Sequence, residues 1–286
     1  RLEHNNGLTS ANDVIMNFNS MLQVGGGVRN VGSLTTLGGV GNFLGDTGTM
    51  NGSSNGTSVV IENAAATAGT LRINQTTPGT TEVQWNAFFR DGTLNSQFLA
   101  PGAGPTASAA LNLVKDGTGW ATLTVDNNYT GTTLVQGGIL QVGRNGIGDT
   151  GSTVGPANPR FTSNVGTTVA GSGVIQGNAL INGFLKPGDE AGGSMGTLTV
   201  NGNLTLSTTS VSTMQVQRAS FTAMNSIGYD SGAAYGTWLS GIATDPTYSQ
   251  MLNDPVTAAQ HDKLLVTGSL TADGKIVVSN NGYTPN

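Results

Sequence analysis

Apolar side chains recur in short runs through the middle of the chain, most regularly between residues 111 and 142. Each run is two to four residues long, and Leu, Val or Ile alternates with Thr, Asn or Gln. Runs of this length are too short for helices, and alternation places every second side chain on one face, as a half-buried β-strand requires. The pattern therefore predicts strands at residues 111–114, 123–125, 134–135 and 139–142.

The breaks between these runs are turn dipeptides, whose residues tolerate positive φ at little steric cost. They are Asp116-Gly117, Asn127-Asn128, Gly137-Gly138 and Asn145-Gly146. Strands separated by sharp corners form one rung of a coil, and a single rung cannot bury its inner face alone. We therefore expect several rungs to stack their apolar side chains into one core, with residues 1–286 forming a single domain.

Residues 10–24 carry two competing patterns. Ser10 and Asp13 fit a helix capping box, with apolar residues at helical spacing behind them. Val14, Met16 and Phe18 alternate instead as the inward residues of a strand. We predict strands for this segment.

Further short apolar runs lie between residues 57 and 99, and Gly, Pro or Asn closes each of them. Phe88 and Phe89 are adjacent in one such run. Neighbouring side chains on a strand point to opposite faces, so we expect at most one of the two to enter the core.

Residues 218–261 differ in composition from the rest of the chain and interrupt the strand pattern. Asp245 fits a helix N-cap and Pro246 the first helical position. We expect a short, partly helical insertion near the C-terminal end that caps an exposed edge of the coil. As a sharper alternative, its aromatic residues form a ligand cradle, and the candidate binding residues are Trp238, Tyr229, Tyr235 and Tyr248.

Composition favours a β-rich surface over an amphipathic helical protein. Only 9% of the residues are charged, against about 25% in typical soluble proteins. Glycine contributes 44 residues. Solubility must therefore come from Asn, Thr, Ser and the backbone, whereas long helices would need Lys, Arg and Glu on their wet face.

Charge and cysteine content exclude several classes of function. The net charge is −5 and the 11 Lys and Arg residues are dispersed, so we expect no nucleic-acid partner. No apolar run approaches about eighteen residues, so we expect no membrane-spanning helix. The chain has no Cys, which excludes disulfides and thiolate chemistry. Because it begins at Arg1 without a signal peptide, we expect a processed or excised piece.

Catalytic signatures are absent from the sequence. His4 and His261 stand in no metalloprotease motif, and there is no nucleophile elbow or phosphate-binding loop. The carboxyl groups considered as catalytic candidates are Asp189-Glu190, Asp116 with Asp126, Asp46, and Asp254 with Asp262. Each lies beside turn residues, where an Asp side chain commonly caps its own backbone. We therefore predict no catalytic residue, no metal site and no cofactor; calcium is the ion most compatible with these turns, without a motif to support it.

Residues 115–143 resemble the autotransporter-associated β-strand repeat of bacterial type V secreted and surface proteins. The signature K-[DS]-G-x-G, L-T-[VL], N-x-Y-T-G-x-T and V-x-x-G-x-L-x-V-G stands here at residues 115–119, 123–125, 127–133 and 135–143, with Trp120 as a small departure. Residues 15–40 resemble the coil that often precedes this repeat. Residues 171–206 resemble the region that closes many such passengers, with Lys186 where a small residue is usual.

The resemblance implies an all-β, right-handed parallel β-helix (solenoid) that is secreted or displayed on the bacterial cell surface. It implies a structural or adhesive passenger domain without catalysis, with glycans or other cell-surface molecules as partners. Open rung ends further suggest end-to-end association into fibres. Two alternatives remain: a polysaccharide lyase or hydrolase, since β-helices host such enzymes, and an ice- or surface-binding solenoid with Thr-rich strands.

Overall fold

A computed structural model describes residues 2–4, 8–17, 20–37, 59–76, 81–92, 109–144, 148–151, 158–190, 195–217 and 260–280. This part of the chain contains β-strands joined by turns and no helix. The strands are β1 (Leu2–His4), β2 (Val14–Asn17), β3 (Ser20–Val24), β4 (Gly27–Val31), β5 (Leu34–Leu37), β6 (Val59–Asn63), β7 (Gly69–Asn74), β8 (Glu82–Trp85), β9 (Phe88–Asp91), β10 (Leu111–Asp116), β11 (Trp120–Leu123), β12 (Thr133–Val135), β13 (Ile139–Val142), β14 (Phe161–Ser163), β15 (Thr168–Gly171), β16 (Val174–Gln176), β17 (Ala179–Ile181), β18 (Phe184–Pro187), β19 (Thr197–Asn201), β20 (Leu204–Leu206), β21 (Val211–Gln217), β22 (Gln260–His261), β23 (Lys263–Val266), β24 (Leu270–Ala272) and β25 (Lys275–Asn280).

Strands that follow one another in the chain lie in different sheets and pair with strands of neighbouring rungs. One sheet has eight strands in the order β24-β20-β17-β14-β12-β10-β7-β4. A second sheet of eight runs β22-β21-β18-β15-β13-β11-β8, with β25 also on β21. Smaller sheets are β1-β3-β6-β9, β16-β19-β23 and β2-β5. Every pairing between described strands is parallel except β21 with β22. Stacked parallel sheets of this kind are consistent with a parallel β-helix.

Side-chain alternation along the strands explains the core. In β7 and β10 buried and half-buried residues alternate without a break. Parallel pairing sets Leu113 beside Leu71, and both are fully buried, so equivalent residues form columns along the stack. The predicted strands at 111–114, 134–135 and 139–142 are confirmed, whereas the remaining one runs from 120 to 123 rather than from 123 to 125.

The strand prediction for residues 14–24 is confirmed, and the helical alternative is wrong. Val14 and Met16 are buried in β2, while Ile15 between them is 65% exposed. Residue 18 and most of the predicted insertion, residues 218–259, lie outside the described residues. The single-domain assignment, the partly helical cap and the handedness of the coil stay predictions.

Aromatic side chains fill the core where β8 and β9 meet the predicted repeat. Phe89 is fully buried and Phe88 half-buried, which confirms that only one of the pair enters the core. The Phe89 ring lies 6.1 Å from Trp85 and 6.5 Å from Tyr129, the latter edge to face. Such aromatic contacts stabilise beyond the area they bury.

The last strands of the chain leave apolar side chains uncovered. Leu270 pairs with the buried Leu204, and Ile276 with the buried Ser212, so both continue inward columns. Leu270, Ile276 and Val278 are nevertheless 50%, 54% and 66% exposed. Among the described strands, β24 and β25 each pair on one side only. The described strands therefore leave the core open at this end.

Candidate functional site

A polar cavity of about 160 Å³ lies on the outer side of the second sheet. Leu185 and Ser212 pair side by side and are buried, so Lys186 and Thr213, the next residues along β18 and β21, point outward. The residues that line the cavity are Lys186, Pro187, Gly188, Asp189, Glu190, Thr213, Gln215 and Asp262. The cavity therefore joins two neighbouring strands, the turn after β18 and the chain that follows β22.

Ion pairs hold the turn after β18 against the sheet. Nη2 of Arg144 lies 2.6 Å from Oε2 of Glu82 and 3.1 Å from Oδ2 of Asp189. Nζ of Lys186 lies 2.9 Å from Oε1 of Glu190. Two acids of the cavity thus each have a cationic partner.

Asp262 is the most buried acid of the cavity, at 7% exposure. Its Oδ1 accepts a hydrogen bond from the backbone N–H of Gly196 (3.1 Å), and its Oδ2 accepts one from the backbone N–H of Gln215 (2.7 Å). Burial raises the pKa of the Asp262 carboxyl, and the two backbone donors oppose that shift. β22 pairs antiparallel with β21, and this pairing places Asp262, the residue after β22, at the cavity.

Several polar groups of the cavity have unused hydrogen-bonding capacity. Lys186 donates to Glu190, which occupies one of its three ammonium protons. Oε1 of Gln215 is buried without a donor, and the Thr213 side chain makes no hydrogen bond among the described residues. A ligand with hydroxyl groups matches this mixture of donors and acceptors.

The convergence of acids was not predicted from the sequence. Asp189, Glu190 and Asp262 share one cavity, although turn capping was expected of each. Asp116 caps its own turn, as the sequence predicted, because its Oδ1 accepts a hydrogen bond from the backbone N–H of Gly117 at 2.8 Å. The candidate aromatic residues Trp238, Tyr229, Tyr235 and Tyr248 lie outside the described residues, so the aromatic cradle stays a prediction.

Lys115 is a second chemically unusual residue, and it lies inside the first corner of the repeat. It is fully buried and stands in the column of Ile73 and Val135. Its Nζ donates to the carbonyl oxygens of Gly117 (2.9 Å) and Gly137 (2.7 Å). Burial lowers the pKa of the ammonium to about 8, and Asp116 partly opposes this. The lysine therefore clamps its own turn to that of the next rung.

The other signature residues of the repeat also occupy corners or core. A Cβ on Gly131 would lie 2.0 Å from the carbonyl oxygen of Leu111, so only glycine fits there. The Tyr129 hydroxyl is buried against the hydroxyl of Thr133, and Oδ1 of Asn127 accepts from the N–H of Phe89. These residue types are fixed by packing between rungs.

A polar ladder runs from Asn127 to Thr267, one residue from each of five successive rungs. The two carboxyl oxygens of Asp149 accept hydrogen bonds from the backbone N–H of Asn127 (to Oδ1) and from Nε2 of Gln176 (to Oδ2). Further along the ladder, Nδ2 of Asn201 donates to Oε1 of Gln176, and Oγ1 of Thr267 donates to Oδ1 of Asn201. Burial raises the pKa of Asp149 to about 6, against the effect of its hydrogen-bond donors. The ladder thus contains a group that titrates near neutral pH.

Replacing Asp149 with Asn should remove a pH-dependent part of the stability. The folded pKa of about 6 exceeds the usual 3.8, so this group's contribution is full below pH 3.8 and is lost as pH rises through 6. From pH 7 to pH 4.5 the unfolding free energy of the native chain should rise by about 1–2 kcal/mol relative to Asp149→Asn. Urea unfolding at both pH values measures this, and parallel curves would contradict it.

The described ranges contain neither a metal-binding cluster nor a membrane-spanning helix. No group of three or more His, Cys, Asp or Glu residues there has a geometry suited to a metal ion. Likewise, no helix in that part of the chain is long and apolar enough to cross a bilayer.

One comparison with known proteins identifies part of the chain. A family model described as the passenger-associated-transport-repeat matches residues 113–142. No curated protein and no solved structure matched the chain. The matched segment coincides with the corners described above, from the clamp at Lys115 to the buried end of β13. The match supports an autotransporter passenger repeat over this short region, and this repeat family implies a secreted or surface-exposed protein.

Proposed function

We propose that the chain forms a right-handed parallel β-helix passenger domain with a structural or adhesive role outside the cell. The observation that carries this proposal is the coincidence of the passenger repeat with a stack of parallel sheets. Backbone ladders and stacked aliphatic columns make such a coil stiff, because each rung is fixed by both neighbours.

Adhesion would use the outer surface, which is polar but carries little charge. Outward positions of the first sheet include Asn112, Thr162, Thr205 and Thr271, none of them an ion. Weak contacts with glycans at many rungs would gain strength by repetition. The column of Thr162, Thr205 and Thr271 also contains the apolar residues Val114, Leu134 and Leu180, an interruption that does not favour a regular ice-binding face.

End-to-end association would use the open end of the core. Leu270, Ile276 and Val278 expose apolar surface there, and β24 and β25 each have one edge that no described strand covers. A further chain placed there would continue the sheets and bury the columns, which favours fibres.

A polysaccharide-active enzyme is the second candidate, and the convergence of three acids in the cavity favours it. We nevertheless propose a non-catalytic role. Asp189 and Glu190 each have a cationic partner, and both oxygens of Asp262 accept backbone hydrogen bonds. Turnover of any polysaccharide by the purified chain, lost in Asp262→Asn, would contradict this proposal.

Negative-stain electron microscopy tests the proposed architecture. We expect single particles to be elongated rods, and rods to join end to end at high protein concentration. The variant Ile276→Asp should keep the rod and abolish joining, because a charge in the open end cannot be buried unpaired. Rounded particles would refute the coil, whereas rods that never join would refute fibre formation alone.

A further inference from the structure

We propose that the cavity between β18, β21 and Asp262 binds a single neutral sugar ring. The inference deepens the adhesive role proposed above, because it gives that role a defined site and a class of ligand. It rests on the donors and acceptors that line one space of about 160 Å³, which is partly open to solvent.

Hydrogen-bond donors contribute part of the lining of the cavity. Lys186 and Thr213 lie side by side on neighbouring strands, and Gln215 follows on the same face of β21. Lys186 retains ammonium protons beyond its bond to Glu190, and the Thr213 hydroxyl has no partner within the described ranges. Hydroxyl oxygens of a ligand would accept from these groups.

Acceptors contribute the rest of the polar lining. Asp189, Glu190 and Asp262 present carboxyl oxygens to the cavity, and Oε1 of Gln215 is buried there without a donor. Arg144 behind Asp189 and the backbone donors of Asp262 fix their positions. A sugar hydroxyl both donates and accepts, so neighbouring hydroxyls of one ring match a lining that offers both donors and acceptors.

The charge and the volume of the cavity limit the class of ligand that it can bind. One lysine and three carboxyl groups line the cavity, and this excess of negative charge disfavours uronic acids, sulfated sugars and other anions. The volume of about 160 Å³ is smaller than the ~300 Å³ at which pockets for drug-sized ligands begin. The site therefore suits the terminal or protruding ring of a glycan rather than an extended chain.

Titration of the full chain with simple sugars tests the proposal. The probes are methyl α-D-glucopyranoside, methyl β-D-galactopyranoside, methyl α-D-mannopyranoside and, as the anionic comparison, D-glucuronate. Saturation-transfer NMR and calorimetry should show binding of at least one neutral pyranoside, and weaker binding of glucuronate. Thr213→Val and Gln215→Leu should each weaken it about five-fold, the effect of one lost hydrogen bond.

Thr208→Val is the matched control, because it removes an exposed threonine hydroxyl from the turn between β20 and β21, outside both the cavity and the strand faces proposed for adhesion. It should bind the sugar as the native chain does, and all variants should keep the native circular dichroism spectrum. The proposal is overturned if no neutral pyranoside binds, if glucuronate binds as well, or if Thr213→Val and Gln215→Leu leave affinity unchanged. Rods seen by microscopy in that case would leave the passenger architecture intact and remove only this site.

Discussion

Gly131→Ala is expected to lower the free energy of unfolding by about 3 kcal/mol or more, or to prevent folding. The added Cβ would lie 2.0 Å from the carbonyl oxygen and 2.5 Å from the carbonyl carbon of Leu111. Both atoms belong to the backbone of a paired strand, so neither can move without breaking the ladder between β10 and its neighbours. Urea unfolding followed by tryptophan fluorescence measures the loss.

Gly166→Ala provides the control that separates crowding from backbone conformation. Gly166 has a φ of +80°, and a Cβ added to it would have nothing within 4 Å. Alanine at this position should lower the free energy of unfolding by about 1 kcal/mol, because it must adopt a left-handed backbone conformation. If Gly131→Ala proved no more harmful than Gly166→Ala, the close approach of successive rungs at this corner would be disproved.

Lys115→Met is expected to destabilise the chain by about 2–4 kcal/mol, although it replaces a buried charge with an apolar side chain of similar length. The substitution leaves the carbonyl oxygens of Gly117 and Gly137 buried without their donor. Unsatisfied buried acceptors cost more than the removal of a buried ammonium gains. Lys275→Met, at an exposed position, should change stability by less than about 0.5 kcal/mol.

The pH dependence of Lys115→Met distinguishes the clamp from simple packing. The Lys115 pKa is about 8 in the fold against 10.5 unfolded, so between these values the unfolded chain binds more protons and stability rises with pH. From pH 8 to pH 10 the native chain should gain about 1–2 kcal/mol that the variant lacks. Above pH 10 the raised pKa of Tyr129 acts in the opposite direction, so the comparison stops there. Identical pH profiles would show that Lys115 is not buried as described.

The strands of the repeat were predictable because alternation is a local property. The sequence neighbours of Leu111, Leu113 and Val135 indicate which face of its strand each of these residues occupies. The direction of Lys115 was not predictable in the same way, although it has the parity of Leu111 and Leu113. Its inward position depends on the Gly137 carbonyl, which lies 22 residues later and is brought close only by the register between β10 and β12.

The cavity could not be predicted from local sequence patterns, for a related reason. Asp189-Glu190 and Asp262 are far apart in the sequence, and residues 218–261 between them interrupt the strand pattern. Asp262 lies beside the turn after β18 because β22 pairs antiparallel with β21. The dipeptide Pro187-Gly188 is typical of a turn, but it does not indicate which distant residue would lie beside that turn.

Connections between successive strands vary greatly in length without disturbing the sheets. Residues 38–58 separate β5 from β6, whereas three residues separate β12 from β13, and β6 still pairs in register with β3 and β9. Each strand is positioned by its neighbours in the stack rather than by the chain leading into it. Foreign peptides spliced into the long connections should therefore leave the pairing of the flanking strands unchanged, which makes this architecture a natural platform for displaying antigens.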